Sequence, residues 1–194
     1  MPLIKVILGS TRPGRFGEQP AKWIMELAKS HPGAKFELVD LKEINLPLLD
    51  EPVPALMSQE YVHEHTKQWS KIVDEADGFI FITPEYNSGV PAAMKNAVDY
   101  LAVEWRHKPV AFVSYGAGGG GILAVNNWRS IFAYLSLLGL ADHIHFNEYY
   151  KHLDEAGNLS PSDEQTAKGH LLLKNISFWA DKLRPIREEL ANRL

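Results

Sequence analysis

The chain has 194 residues, of which 45% are hydrophobic and 23% charged, with a formal net charge of −4 at pH 7 and no cysteine. That length suits one α/β domain whose sheet is covered on both faces, and the composition excludes disulfides, thiol nucleophiles, cysteine-held metals and a basic nucleic-acid surface. No apolar run approaches the ~18 residues that a membrane helix needs, and a strand pattern begins directly at the N-terminus, so a soluble cytoplasmic chain with one domain over 1–194 is expected.

Leu3-Ile4-Lys5-Val6-Ile7-Leu8 reads as a buried strand and Glu18 to Ser30 as a helix. Between them stands Gly9-Ser10-Thr11-Arg12-Pro13-Gly14-Arg15-Phe16-Gly17. A strand, a glycine-rich turn and a helix make a phosphate cradle, because the first helical N–H groups are unpaired and the helix dipole favours an anion there. Gly14 and Gly17 permit close backbone approach, Ser10 and Thr11 offer hydroxyls, and Arg12 or Arg15 could grip a phosphate through two parallel hydrogen bonds. The same residues would also make an ordinary turn with solvated arginines. The dinucleotide pattern G-x-G-x-x-G is absent, since Thr11 replaces its second glycine. Gly9 and Gly14 have the spacing of a nucleotide P-loop, but Arg15-Phe16 replaces its Lys-Ser/Thr pair and leaves no hydroxyl for Mg²⁺.

The first helix carries Ala21, Ile24 and Ala28 on one stripe, and His31-Pro32-Gly33 stops it. Lys35 to Asp40 reads as the second strand. A long loop with Pro47, Pro52 and Pro54 follows, apolar enough to cover something. Ser58 is expected to cap a helix reaching about Ala76, with Val62, Trp69, Ile72 and Val73 facing inward. Gly78 to Thr83 is the third strand, Pro84 to Gly89 a loop, and Pro91 opens a helix reaching about Val103. Pro109 to Ser114 is the fourth strand, followed by Tyr115 and the glycine-rich stretch 116–121. A helix then runs from about Ile122 to Leu138, with Gly139 as its stop. His143 to Phe146 is a short fifth strand, Lys151 to Asn158 a turn or small hairpin, and Ser160-Pro161-x-Asp163 opens the last helix. Leu172, Ile176, Trp179 and Leu183 are expected to face inward there, and Pro185 to end or kink it.

Strand–helix alternation of this kind gives a parallel sheet in a three-layer sandwich, with ligands beyond the C-terminal strand ends. Three of those ends carry unusual residues, at 9–17, 83–89 and 114–121. In the second, Pro84, Tyr86 and Asn87 supply a rigid turn, a flat ring and an amide, which suit a planar heterocycle with polar edges; the plainer reading is a proline-initiated turn with Glu85 solvated and Asn87 in a local turn bond. In the third, so flexible a backbone implies that a ligand or another backbone comes close. His143 and His145 share one face of a strand, but no third ligand accompanies them and no metal is expected. No side chain is assigned as acid or base.

Four segments together, Gly-Ser-Thr-Arg-x-Gly-Arg at 9–15, Pro-Glu-Tyr-Asn-Ser at 84–88, Pro-Ala-Ala-Met-Lys-Asn-Ala-Val-Asp-Tyr at 91–100 and Lys-Pro-Val at 108–110, resemble the NAD(P)H-dependent FMN reductase family. The resemblance implies a flavodoxin-like sandwich with a five-stranded parallel sheet in the order 2-1-3-4-5. It implies FMN as cofactor, NAD(P)H as co-substrate, and hydride passage through FMN to a small acceptor such as a quinone, free flavin, azo compound or metal oxyanion. It puts the FMN phosphate on Ser10, Thr11, Arg12, Arg15, Phe16 and Gly17, with Arg12 as the main charged partner. It lays the isoalloxazine and ribityl chain along Pro84, Glu85, Tyr86 and Asn87, and the ring's pyrimidine end against Ser114, Tyr115 and Gly116. Arg15, Phe16 and Gly17 stand where some members have Ser and Asn. Relatives build the flavin pocket at a subunit contact, which implies a homodimer or a dimer of dimers. A second apolar stripe on the helix at 91–103, through Ala92, Asn96, Tyr100 and Val103, is the expected contact, unless the proline-rich segment 46–56 of the same chain covers it. An electron carrier like flavodoxin and a low-turnover flavin-binding regulatory protein are the other readings. Such carriers are markedly acidic, and a net charge of −4 is not.

Overall fold

The computed structural model describes residues 1–191. Strands β1 (Leu3–Leu8), β2 (Lys35–Asp40), β3 (Gly78–Pro84), β4 (Pro109–Gly116) and β5 (Leu138–Asn147) form one parallel sheet in the order β2-β1-β3-β4-β5. This is the flavodoxin-like order expected. β1, β3 and β4 are mostly apolar and buried almost throughout, because helices cover both of their faces. On one face, α1 (Glu18–Lys29) and α6 (Asp163–Ala191) bring Ala21, Ile24, Leu173 and Ile176 onto Ile4, Val6, Ile80 and Val113. On the other, α3 (Glu64–Asp74), α4 (Ala92–Asp99) and α5 (Ile122–Tyr134) bring Trp69, Met94, Val98, Trp128 and Phe132 onto Ile7, Phe79, Phe81 and Phe112. Strand order reverses between β1 and β3, so the loops leaving β1, β3 and β4 converge at one edge. Among the described residues, no helix is long and apolar enough to cross a membrane.

Several boundaries differ from the sequence reading, each for a local reason. The segment after β2 opens with a short helix, α2 (Leu41–Ile44), because the Asp40 carboxylate accepts the Lys42 N–H at 2.9 Å. Ser58 does not cap α3. Its hydroxyl accepts the Glu60 N–H at 3.0 Å, while the Glu51 carboxylate takes the N–H groups of Val62 and His63, both at 3.0 Å, and leaves Val62 exposed. In α6 the N-cap is Ser162, which exchanges hydrogen bonds with Gln165. The helix continues past Pro185, with Arg184 and Arg187 on either side of it both gripping Asp77, and Trp179 turns outward.

The end of α5 is the largest difference. Leu135, Leu137 and Leu138 prolong the apolar pattern, yet the helix stops at Tyr134. Ser136 adopts φ 58°, its N–H reaches the Ala133 carbonyl at 3.3 Å, and the Leu137 N–H reaches the Phe132 carbonyl at 2.9 Å. This is the paired closure of a Schellman motif, built on serine where glycine is usual. Gly139 therefore lies inside β5, which pairs with β4 from Leu138 onward.

The middle of the stripe expected to meet a second subunit, at Asn96 and Tyr100, is covered by the chain's own proline-rich strap, while Ala92 stays exposed. Tyr100 is fully buried, and its hydroxyl lies 2.9 Å from Asp50 Oδ1 and 3.2 Å from the Pro47 carbonyl. Asn96 donates to the Pro47 carbonyl at 2.7 Å and accepts the Leu49 N–H at 2.9 Å. A groove of about 610 Å³ remains between the strap, α4 and α5.

Ser136 lies exposed in the left-handed region, so a side chain there is strained and buries nothing in the core. Ser136→Gly is expected to stabilise the fold by ~0.5–1 kcal/mol. Urea unfolding should show a higher midpoint at unchanged slope, and a lower midpoint would contradict this account of the turn.

Candidate functional site

The loop after β1 is fixed at both ends. The Gly9 N–H donates to the Ile82 carbonyl on β3 at 3.0 Å. At the other end Arg15, only 9% exposed, donates from Nη1 to the Ser10 carbonyl at 2.5 Å and to Asp40 Oδ1 at 2.7 Å. Its Nη2 pairs with Asp40 Oδ2, and its Nε donates to Glu18 Oε1 at 2.9 Å. The guanidinium is thus committed within the protein. Arg12 is exposed, and none of the described residues pairs with it. The two arginines that looked equivalent in sequence divide the work: Arg15 clamps the loop and Arg12 stays free. No side chain caps α1, whose N-cap is Gly17 at φ −54°.

The loop after β3 closes as a two-residue hairpin turn. Tyr86 and Gly89 exchange backbone hydrogen bonds at 3.1 and 3.0 Å, with Asn87 and Ser88 at φ 51° and 63°. Glu85 is not solvated. Its Oε2 accepts the N–H groups of Leu123 and Ala124 at 3.0 and 3.4 Å, so it caps α5. Tyr86 is 38% exposed, and its hydroxyl lies 2.8 Å from Ser10 Oγ, bridging the first two loops.

The loop after β4 is held by Ser114. Its buried Oγ donates to the Gly120 carbonyl at 2.5 Å and lies 2.6 Å from His143 Nε2. Burial first, then His145 and Arg129, pushes His143 down to about 4, so the ring is neutral at pH 7. Gly120 and Gly121 have φ 62° and 88°, and a Cβ on Gly121 would lie 2.8 Å from Ser114 Cβ. Close backbone packing, then, is what these glycines serve. Tyr115 stands at the end of β4 with Phe16 edge-on at 5.0 Å and Tyr149 at 6.1 Å. Its hydroxyl is buried and has no hydrogen-bond partner.

Ser10, Arg12, Gly14, Arg15, Phe16, Pro84, Glu85, Tyr86, Tyr115 and Gly116 line one cavity of about 250 Å³ at this edge. Thr11 lines a separate cavity of about 300 Å³ with Lys42, Asn45 and Ala93. Gly17, Asn87 and Ser114 shape the loops and do not line the 250 Å³ cavity. The sequence reading missed Tyr149, which joins that lining and tilts against Phe16 at 4.7 Å. An aromatic residue just beyond the last strand was its available signal. The cavity thus combines an uncapped helix N-terminus and a free guanidinium with a wall of aromatic rings.

Sheet order and loop convergence define a flavodoxin-like protein with its candidate ligand edge at the β1/β3 switch point. The chain belongs to the family described as NADPH-dependent FMN reductase, whose pattern matches residues 2–151. It is 46% identical over 121 residues to an NAD(P)H-dependent FMN reductase of Schizosaccharomyces pombe, covering 62% of this chain and 60% of that protein. It is 30% identical over 173 residues to a 2-hydroxy-1,4-benzoquinone reductase of a Burkholderia species, covering 82% of this chain and 86% of the relative. The chain spans 60 to 66% of the lengths of three curated FMN reductases. The solved structure of a flavoenzyme NAD(P)H:(acceptor) oxidoreductase from Paracoccus denitrificans superposes with a TM-score of 0.72 at 22% identity, over 94% of this chain and 99% of that one, which attests the shared fold.

The division between the arginines is open to direct test. Asp40→Ala removes the two-oxygen partner of the buried Arg15 guanidinium, leaving only the exposed Glu18 carboxylate, and is expected to destabilise the protein by about 3 kcal/mol. Arg12→Ala should leave stability within about 0.5 kcal/mol. Equal losses in chemical denaturation would contradict the assignment.

Proposed function

We propose that the chain is an FMN-dependent oxidoreductase that passes hydride from NAD(P)H through bound FMN to a small acceptor such as a quinone. Family membership supports the class, and one observation carries the reading to this site. The N-terminus of α1 lacks a side-chain cap and stands in the same loop region as Arg12, a cation with no partner among the described residues. An anion there gains both the helix dipole and a charge-assisted hydrogen bond. With one such cradle, FMN fits better than FAD.

Each side chain has a role on this reading. Arg12 and Ser10 hold the phosphate with backbone N–H groups of the loop, and Phe16 and Gly17 shape that cradle. Arg15 keeps the loop in place through Asp40. Pro84 and Tyr86 border the ring, Glu85 fixes their loop to α5, and Asn87 makes the tight turn behind it. Ser114 anchors the glycine loop beside Gly116. Thr11 faces the neighbouring cavity and takes no part in holding the phosphate. FMN, when bound, supplies a hydride acceptor that can release electrons singly or in pairs. The protein's own contribution is binding, orientation and backbone donors, with no side-chain acid or base assigned.

We further infer a cytoplasmic homodimer or dimer of dimers. Because Tyr100 is covered by the strap, the contact falls on the strap and α5, where Tyr134 is 77% exposed beside the 610 Å³ apolar groove. Light scattering should give at least twice the monomer mass of 21.8 kDa, and Tyr134→Lys should disperse the assembly. A wild-type mass equal to the monomer's would contradict it.

The purified protein is expected to release FMN on heating and to oxidise NADH or NADPH in steady state with a quinone. FAD as the released species, or reduction without turnover, would overturn the reading, the latter in favour of an electron carrier. Arg12→Ala should weaken FMN binding by ~10- to 100-fold, as loss of a hydrogen bond to a charged group does. Fluorescence titration reads this directly.

A further inference from the structure

Tyr115 carries a polar atom that the fold leaves unused. The residue is 5% exposed, and its buried hydroxyl has no partner at ordinary hydrogen-bond length and angle, with the Ser10 side chain and the Gly17 N–H beside it. Burying an unpaired hydroxyl costs stability, and native folds rarely keep one without a purpose. Tyr86 offers the contrast, since its hydroxyl already has Ser10 at 2.8 Å.

Gly17 shows that the fold makes room for this hydroxyl. Its φ of −54° and ψ of −22° are open to any residue, so backbone freedom does not explain the glycine. Space does. A Cβ there would lie 2.7 Å from the Tyr115 hydroxyl and 2.8 Å from Leu8 Cδ1. The missing side chain lets the phenol reach the N-cap of α1, where the helix presents its positive end. The ring is fixed by Phe16 at 5.0 Å and Tyr149 at 6.1 Å, so the hydroxyl is held in one place.

We propose that Tyr115 is a phosphate-binding residue, its hydroxyl donating to the phosphate monoester of FMN at the N-terminus of α1. This rests on the FMN reading above. It moves Tyr115 from the pyrimidine end of the ring, where the family resemblance put it, to the phosphate end. It also gives the chain a way to select FMN over riboflavin, which has the same ring and ribityl chain but no phosphate. Burial raises the phenol above its ordinary value, so it remains a neutral donor across the physiological range. No covalent step is involved.

The test is Tyr115→Phe, which removes one oxygen and keeps the ring. FMN affinity should fall about tenfold or more, while riboflavin affinity stays within twofold of wild type. Without flavin, the variant should melt about 2–4 °C higher than wild type, because the unpaired hydroxyl is gone. A second variant, Gly17→Ala, should weaken FMN in the same selective way by pushing the hydroxyl aside. Unchanged FMN affinity in Tyr115→Phe, equal weakening of both flavins, or a lower melting temperature would each overturn the role of Tyr115. A wild-type protein that binds neither flavin would instead overturn the reading on which the role rests.

Discussion

The buried contact between Arg15 and Asp40 fixes the loop on which the rest of the site is built. Its guanidinium ties the end of β2, the start of α1 and the Ser10 carbonyl into one unit. Asp40 adds a further link, because the carboxylate that holds Arg15 also caps α2. Burying such a pair gains little net stability over an apolar substitute, so its value is positional. It sets where α1 begins, and therefore where the positive end of its dipole points.

From that constraint follows the electrostatic character of the cavity. Arg15 is neutralised locally by Asp40 and Glu18, whereas Arg12 keeps its charge. Positive potential is thus concentrated on a helix terminus and one exposed side chain, in a protein whose formal net charge is −4. The glycines around the cavity answer different needs. Gly120 and Gly121 adopt left-handed backbone that seats their loop on β4 and β5, while Gly17 has ordinary dihedrals and is small to admit a phenol. Only the former explanation is the usual one for glycine.

The boundaries of β2 and both faces of the sheet were legible in apolar runs and helical stripes that alternate cleanly over the first half of the chain, and the strand order followed from the family resemblance. What stayed hidden depended on residues far apart. Nothing in Gly-Ser-Thr-Arg-Pro-Gly-Arg separates Arg12 from Arg15, since the choice is made by Asp40 at the end of the next strand. Glu85 looked solvated because its partners, the first N–H groups of α5, lie 38 and 39 residues on. The start of β5 was missed, with Leu138 read as the last helical residue and Gly139 as the stop, because the apolar period continues through Leu138 and the true stop is a serine in a glycine conformation. The second stripe of α4 was correctly seen as needing cover. Sequence alone could not say that the cover is residues 47–50 of the same chain.

The central claim is that the N-terminus of α1, with Arg12 and the loop behind it, is an anion cradle for the FMN phosphate. Phosphorus-31 NMR of the FMN-loaded protein, titrated from pH 5 to 8, tests it most directly. A free phosphate monoester takes up its second proton near ~6, with a large change in chemical shift. Held by a helix dipole and a guanidinium, the dianion should resist protonation, and the bound resonance should stay nearly constant across that range. A bound phosphate that titrates as it does in free FMN would contradict the account.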